Sequence, residues 1–137
     1  MLKIIEQRNR NKLIQEKFQS QDFSMIDWHT LKSAELYQWI EFVPGIKFRK
    51  IYDSENLLLF ETDIDPGMYF NWHGHDCFED CFVVQGKLHD KTSGREAVKG
   101  EYMNFQKGIG HEPGNPLSQI VTKIIVTFKH DNFNSGN

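Results

Sequence analysis

Residues 67–86 read GMYFNWHGHDCFEDCFVVQG, and the spacing inside this stretch decides how the chain is built. Gly67 is followed after five residues by His73, after one more by His75, after three by Glu79 and after six by Gly86. Side chains on a strand alternate between its two faces, so His73 and His75 project to the same side, about 6–7 Å apart along the strand. They form a chelating pair. Asp76, Cys77 and Phe78 suffice to turn the chain, so Glu79 opens the next strand beside the histidines. A second stretch, GEYMNFQKGIGHEPGN at 100–115, holds Gly100, Gly108, His111 and Asn115, and its histidine arrives from a later strand. Three imidazoles and one carboxylate, from His73, His75, His111 and Glu79, suit a first-row transition metal, and an octahedral count leaves two positions open.

Around these motifs, from Gly45 onward, short runs of β-branched, aromatic and Leu residues alternate with Gly, Pro, Asp and Asn, which is the texture of an antiparallel sandwich or barrel. The expected strands are 46–52, 57–64, 68–75, 79–85, 87–90, 101–105 and 120–128. Asp65-Pro66-Gly67, Lys91 to Arg95 and Pro113 to Pro116 have turn chemistry. Residues 1–21 are polar, contain neither Gly nor Pro, and space Leu2, Ile5, Leu13, Ile14 and Phe18 roughly as a helix does. Between Asp22 and Val43, Thr30 or Ser33 can cap a short helix running to Trp39, before Pro44-Gly45 forces a turn. The domain plan is therefore an N-terminal helix or arm over 1–44, a barrel over 45–130, and a polar tail over 131–137.

Composition narrows the function classes. A chain of 137 residues builds one domain, and 39% hydrophobic residues, with eleven Phe, four Tyr and three Trp, supply ample core. Sixteen Lys and Arg against nineteen Asp and Glu give a net charge of -3, with no basic concentration able to track phosphates, so no nucleic-acid partner is expected. Apolar runs such as Leu57 to Phe60 are far too short to cross a bilayer, and the N-terminal LKII is too brief for a signal peptide's core. No membrane association is expected. Cys77 and Cys81 are the only cysteines, which fits a reducing compartment, and the expected location is cytoplasmic.

The two spaced motifs resemble the paired motifs of the cupin superfamily, G-x5-H-x-H-x3-4-E-x6-G and G-x5-P-x-G-x2-H-x3-N. Every ligand position is filled, and the one departure is Gln106 where the second motif has proline, which touches turn rigidity rather than ligation. The resemblance spans about 45–130. The stretch from WIEFVPGIKFRKIY onward is also similar to the small cupins related to the zinc-binding anti-sigma factor ChrR. The resemblance implies an all-β double-stranded β-helix, or jelly-roll barrel, with His73, His75, Glu79 and His111 as ligands of Fe, Ni, Zn, Mn or Cu. Cupins with three His and one Glu include dioxygenases, isomerases and decarboxylases. The expected function is thus a metal-dependent, dioxygenase-like enzyme acting on a small organic molecule, with Glu79 also placed to accept a proton from substrate. The rival reading is a non-catalytic metal or small-molecule sensor, in which occupancy changes the arm and through it a protein partner.

Other residues carry weaker signals. Four inward ionisable groups without a cation are costly to bury, which favours a metal over a barrel that keeps them only for hydrogen bonding. Cys81 shares the face of Glu79 and reads either as a small buried apolar residue or as a group close to the metal. Tyr69 and Asn71 share the alternation of the histidines, as pocket lining or as core. Glu112 reads as a solvated loop carboxylate, and His29, His89 and His130, which lack partners at ligand spacing, as surface or capping residues. Phe70, Trp72, Phe82 and Val84 fall on the opposite face, so the sheet is apolar on both sides; either the N-terminal segment or a second subunit in a homodimer covers it, or the aromatics pack within the barrel's own curvature.

Overall fold

The computed structural model describes residues 2–130, with side chains described from Arg10 onward, so the polar tail expected at 131–137 lies outside the described residues. In chain order the elements are α1 (Leu2–Phe18), β1 (Ser24–Met25), α2 (Trp28–Lys32), β2 (Trp39–Val43), β3 (Ile46–Asp53), β4 (Leu57–Ile64), β5 (His73–Gly74), β6 (Phe78–Gln85), β7 (Lys87–Asp90), β8 (Glu96–Val98), β9 (Tyr102–Phe105), β10 (Pro113–Gly114) and β11 (Thr122–Lys129). The larger sheet has six strands in the order β2-β3-β4-β11-β6-β9, and a three-stranded sheet, β10-β7-β8, lies separately from it. This is the jelly-roll barrel that the family resemblance implies.

Period-two patterning sets which side chains point inward. In β4, Leu58, Phe60, Thr62 and Ile64 are buried, and in β11 so are Thr122, Ile124, Val126 and Phe128. Register then carries this face across the sheet, because Phe128 lies opposite Leu58 on one side and opposite Glu79 on the other, while Glu79 in turn faces Phe105 of β9. A carboxylate is thereby committed to the apolar interior by the pairing of its neighbours. The β6–β7 connection is Gly86 alone, with φ +82, and a Cβ there would stand 2.7 Å from the Thr122 hydroxyl, so this tight turn accepts only glycine.

Three expectations need correction. The short helix does not run to Trp39: Asp27 caps α2 by accepting from the Thr30 backbone N–H at 2.9 Å, the helix ends at Lys32, and Trp39–Val43 is instead an outer strand of the large sheet paired with β3. Apolar alternation in WIEFV, with Ile40 and Phe42 buried, is the strand signal the helix reading passed over. Met68 to Trp72 is not a continuous strand; only His73–Gly74 is, with a lone bridge from Tyr69 to Gly114 before it. Alternation therefore fails upstream of His73. Phe70 is buried rather than outward, and Tyr69 and Asn71 turn away from the histidines.

The N-terminal segment covers part of the barrel. β1 pairs in parallel with β5, Ile26 N–H donates to Gly74 O at 2.8 Å, and the Trp28 N–H donates to the Asp76 carboxylate at 2.8 Å. Ile14, Phe18, Ile26, Trp28 and Leu31 join the core, while Phe23 stands edge-on to Trp72 with ring centres 4.8 Å apart. Phe82 and Val84 remain exposed.

Candidate metal centre

His73 and His111 are held together by the backbone before their side chains act. The two residues form an antiparallel bridge, His73 N–H donating to His111 O at 3.1 Å and His111 N–H to His73 O at 2.8 Å. The loop that delivers His111 is fixed at its other end by Gly108, whose N–H donates to His75 O at 2.7 Å and whose φ of +78 suits glycine. The turn closes without the motif's proline, Ile109 N–H donating to Gln106 O at 3.3 Å. Asn115, fully buried, locks the following chain: its amide donates to Ile64 O and Ile120 O, and its Oδ1 accepts from Leu117 N–H.

These restraints bring the side chains together. His73, His75 and His111 are buried, with one ring nitrogen from each within 4.8 Å of the others. Nε2 of His73 and of His111 are 3.2 Å apart. Glu79 Oε1 lies 3.3 Å from His75 Nε2 and 3.4 Å from His111 Nε2, and it has no hydrogen-bond donor of its own. The outer nitrogens explain the orientation: His73 Nδ1 bonds Asn71 O at 2.7 Å and His75 Nδ1 bonds Ile26 O at 2.9 Å. A carbonyl only accepts, so each of these Nδ1 atoms carries the proton and each Nε2 presents a lone pair inward. Lone pairs that face one another and a carboxylate oxygen in a dry interior call for a cation among them, and nitrogen plus oxygen donors match a divalent first-row metal. The residues fit the group.

Burial sets the charge states. Desolvation lowers His73 to about 4 and His75 to about 3, and pushes His111 down as well, so all three imidazoles are neutral and able to ligate at neutral pH. Desolvation also raises Glu79 to about 8. Its second oxygen accepts from the Cys81 thiol at 3.3 Å, and burial holds that thiol protonated.

The chemistry faces a small apolar chamber. A cavity of about 30 Å³ is lined by His73, His75, Glu79 and Cys81 together with Phe18, Phe42, Phe48, Phe60, Phe70 and Phe128. That is room for about one or two waters and no more. Phe18, from the end of α1, fills the remainder: its ring centre is 3.9 Å from Phe42, 5.6 Å from Phe70 and 5.3 Å from His73. Sequence reasoning placed Phe18 in a helix but not at the site, since nothing in a polar helix announces that its last residue enters a barrel.

The remaining candidates sort clearly. Tyr69 instead bonds its hydroxyl to His89 Nδ1 at 2.9 Å, and the Asn71 amide donates to Phe18 O at 3.3 Å, tying the site strand to α1. The Glu112 carboxylate accepts from the Thr92 hydroxyl at the surface, as expected of a loop carboxylate. His130 stacks on Trp28, and His29 is exposed. Cys77 is a buried free thiol, and burial raises its pKa.

Comparison with known proteins agrees with this fold. No curated protein matches the chain. Among solved structures, an RmlC-like cupin from Shewanella frigidimarina aligns over 70% of this chain and 86% of its own, at 18% identity and a TM-score of 0.60. The anti-sigma ChrR, in complex with SigE of Rhodobacter sphaeroides, aligns over 67% and 48% at 18% identity and 0.56. The polyketide cyclase RemF from Streptomyces resistomycificus aligns over 68% and 73% at 20% identity and 0.58. Identities this low speak for the fold alone. The model of the ChrR cupin-like domain matches residues 28–131, from the start of α2 through β11, and the chain belongs to that family.

Proposed function

We propose that the chain is a metal-dependent enzyme of dioxygenase type, acting on a small, largely apolar organic molecule. One observation carries the reading: three neutral imidazoles converge with an unpartnered carboxylate oxygen, and His73, His75 and Glu79 of this set line a chamber walled by phenylalanines. His73, His75, His111 and Glu79 would hold Fe, Ni, Zn, Mn or Cu, and a bound redox-active ion of this set supplies Lewis acidity and one-electron chemistry toward dioxygen. The protein's own part is otherwise to exclude water, through Phe42, Phe48, Phe60, Phe70 and Phe128, and to provide at Glu79 Oε1 a base for a substrate proton. A cavity of about 30 Å³ has no space for a carbon skeleton, so substrate takes the volume of the Phe18 ring when the end of α1 moves aside.

The test is turnover. Protein loaded separately with Fe, Ni and Mn is offered diketones, polyphenols, thiols and sugar-derived acids in air, with oxygen consumption and product recorded. Oxygen uptake with one substrate class is expected; no uptake and no conversion across all three metals would end the enzyme reading.

A second reading has its own support. His75 Nδ1 bonds Ile26 O, and Phe18 packs on His73, so the N-terminal segment touches the ligand set directly. This suits a sensor in which occupancy shifts α1 toward a protein partner, as the likeness to an anti-sigma factor suggests. Metal loading that changes proteolysis between α1 and β1, without turnover, would favour it. Under either reading we place the protein in the cytoplasm, consistent with the lack of a membrane-crossing helix among the described residues. We further expect a homodimer through the exposed Trp72 and Phe82, while Phe70, buried beside Phe18, is withdrawn from that interface. Sedimentation at micromolar concentration decides between dimer and monomer.

A further inference from the structure

A second cavity, of about 400 Å³, has walls that include Gln19, Gln21, Val43, Met68, Tyr69 and Asn71. Gln21 and Met68 are exposed, so it opens to solvent. We propose that this cavity is the outer binding site and the entrance of the metal chamber, and that it takes neutral organic molecules carrying hydroxyl or carbonyl groups. The inference rests on the proposed function only in treating the chamber as the substrate's destination.

The two cavities are built from the same three chain segments. Phe18, Phe42 and Phe70 line the chamber, and their ring centres form a triangle with sides of 3.9, 5.6 and 5.6 Å. Their neighbours in the chain line the outer cavity: Gln19 follows Phe18, Val43 follows Phe42, and Tyr69 and Asn71 flank Phe70. Each segment gives a ring to one cavity and a neighbour to the other, which puts the triangle of rings between the two. Amides of the outer cavity fasten that triangle, Gln19 donating to Phe42 O at 3.0 Å and Asn71 to Phe18 O at 3.3 Å. Phe42 belongs to β2, and the Phe70 N–H donates to Pro113 O at 2.9 Å. Residues 19–23, by contrast, form neither helix nor strand. Phe18 is therefore the ring that swings, and the way inward passes it.

The lining says what enters. No charged side chain lines this cavity among the described residues; the Lys91 ammonium stands 4.2 Å over the Tyr69 ring but is not part of the wall. An ion moving in would give up water without gaining a partner of opposite charge. Val43, Met68 and the Tyr69 ring suit an apolar body, while the amides of Gln19, Gln21 and Asn71 offer donors and acceptors to hydroxyl and carbonyl groups. A volume of about 400 Å³ is at the lower end of small-ligand pockets and suits a single substituted ring.

Resorcinol, a neutral diol that does not chelate, is titrated into the metal-free full chain while the Met68 methyl is followed by NMR. A saturable shift is expected, about tenfold tighter than for benzoate and about tenfold weaker in Gln21→Trp, whose indole fills the cavity from an exposed position. Entry is read separately, from the rate at which methyl methanethiosulfonate modifies Cys81, a chamber residue, in a Cys77→Ala background. Gln21→Trp and saturating resorcinol should each slow the modification several-fold, and Asn71→Leu, which drops the bond to Phe18 O at similar volume, should speed it. Urea midpoints are measured on every variant. No saturation, an equal response in Gln21→Trp, preference for benzoate, or modification rates that follow the urea midpoints instead of the filling of the cavity would overturn the proposal. Saturation in a protein that turns over no substrate ends the enzyme reading and leaves this site standing. Turnover with a KM unchanged by Gln21→Trp overturns the site and leaves the enzyme reading standing.

Discussion

The Cys81 thiol donates to Glu79 Oε2 at 3.3 Å, two residues along the same strand face, while Oε1 of that carboxylate is left facing the histidines. The thiol thus orients the carboxylate. Cys81→Ala should leave Oε2 unpaired and weaken metal binding by about tenfold, the usual scale for losing such a supporting bond. Cys81→Ser, which keeps a donor, should stay within a few-fold of wild type. Chelator competition on both variants checks this; equal losses would show that volume, not the hydrogen bond, matters.

Phe18 closes the chamber from α1, and its loss has two separable effects. Phe18→Ala should destabilise by about 3–4 kcal/mol, as large core truncations do, read from urea midpoints. It should also speed metal release to a chelator, because the ring that stands 5.3 Å from His73 no longer blocks the approach. Phe128→Ala, in β11 and packed on His75 at 4.8 Å, serves as the control: comparable destabilisation with release as slow as in wild type is the expected contrast.

The metal-free protein should show an unusual pH profile. His73 and His75 titrate lower in the fold, at about 4 and about 3, than the usual 6.5, so their contribution is full above 6.5 and is lost as pH falls through that window. Glu79 moves the other way, to about 8 from 4.5. The folded state then holds a proton that the unfolded chain has shed, and stability falls as pH rises from 4.5 to 8. Between 6.5 and 8 the loss reaches about 2 kcal/mol, at about 1.4 kcal/mol per pH unit for one proton. Melting temperatures of metal-free wild type should peak near pH 6.5 and decline toward 8, and Glu79→Gln should abolish the decline. A flat profile in wild type would contradict it.

The sequence made the ligands legible because they keep short fixed spacings, although only Glu79 lies in a long strand: His73 opens a two-residue strand, His75 follows it, and His111 comes from a loop joined to His73 by a lone bridge rather than from the later strand expected. Leu57–Ile64 and Lys87–Asp90 match the structure residue for residue because their alternation is clean. What escaped was decided by contacts between distant segments. Tyr69, Phe70 and Asn71 sit in an irregular stretch bridged to Gly114, so counting alternate residues back from His73 assigned them to the wrong faces. Phe18 reaches the site because α1 packs on β2, and β2 itself was hidden by a capping residue that belongs to a shorter helix. The acceptor-free Nδ1 of His111 is likewise invisible in sequence, since it depends on which backbone carbonyls the folded loops present.

Glu79→Gln separates enzyme from sensor. Among the described residues Glu79 is the one carboxylate within 4 Å of the site's imidazoles, and the substitution keeps its shape, its place opposite Phe128 and its contact with Cys81 while removing the charge. If Glu79 both helps hold the metal and takes a substrate proton, Gln retains part of the first role and none of the second. Metal content at saturating zinc should fall by at most half, and turnover with the active metal by about 100-fold or more, the range of a lost general base. The pH dependence of the residual activity should also lose its acidic limb. A sensor has no turnover to lose, and there the same substitution should change only metal affinity and the protease sensitivity of the segment between α1 and β1. Equal fractional losses of metal and turnover would leave Glu79 a ligand alone and remove it from the chemistry.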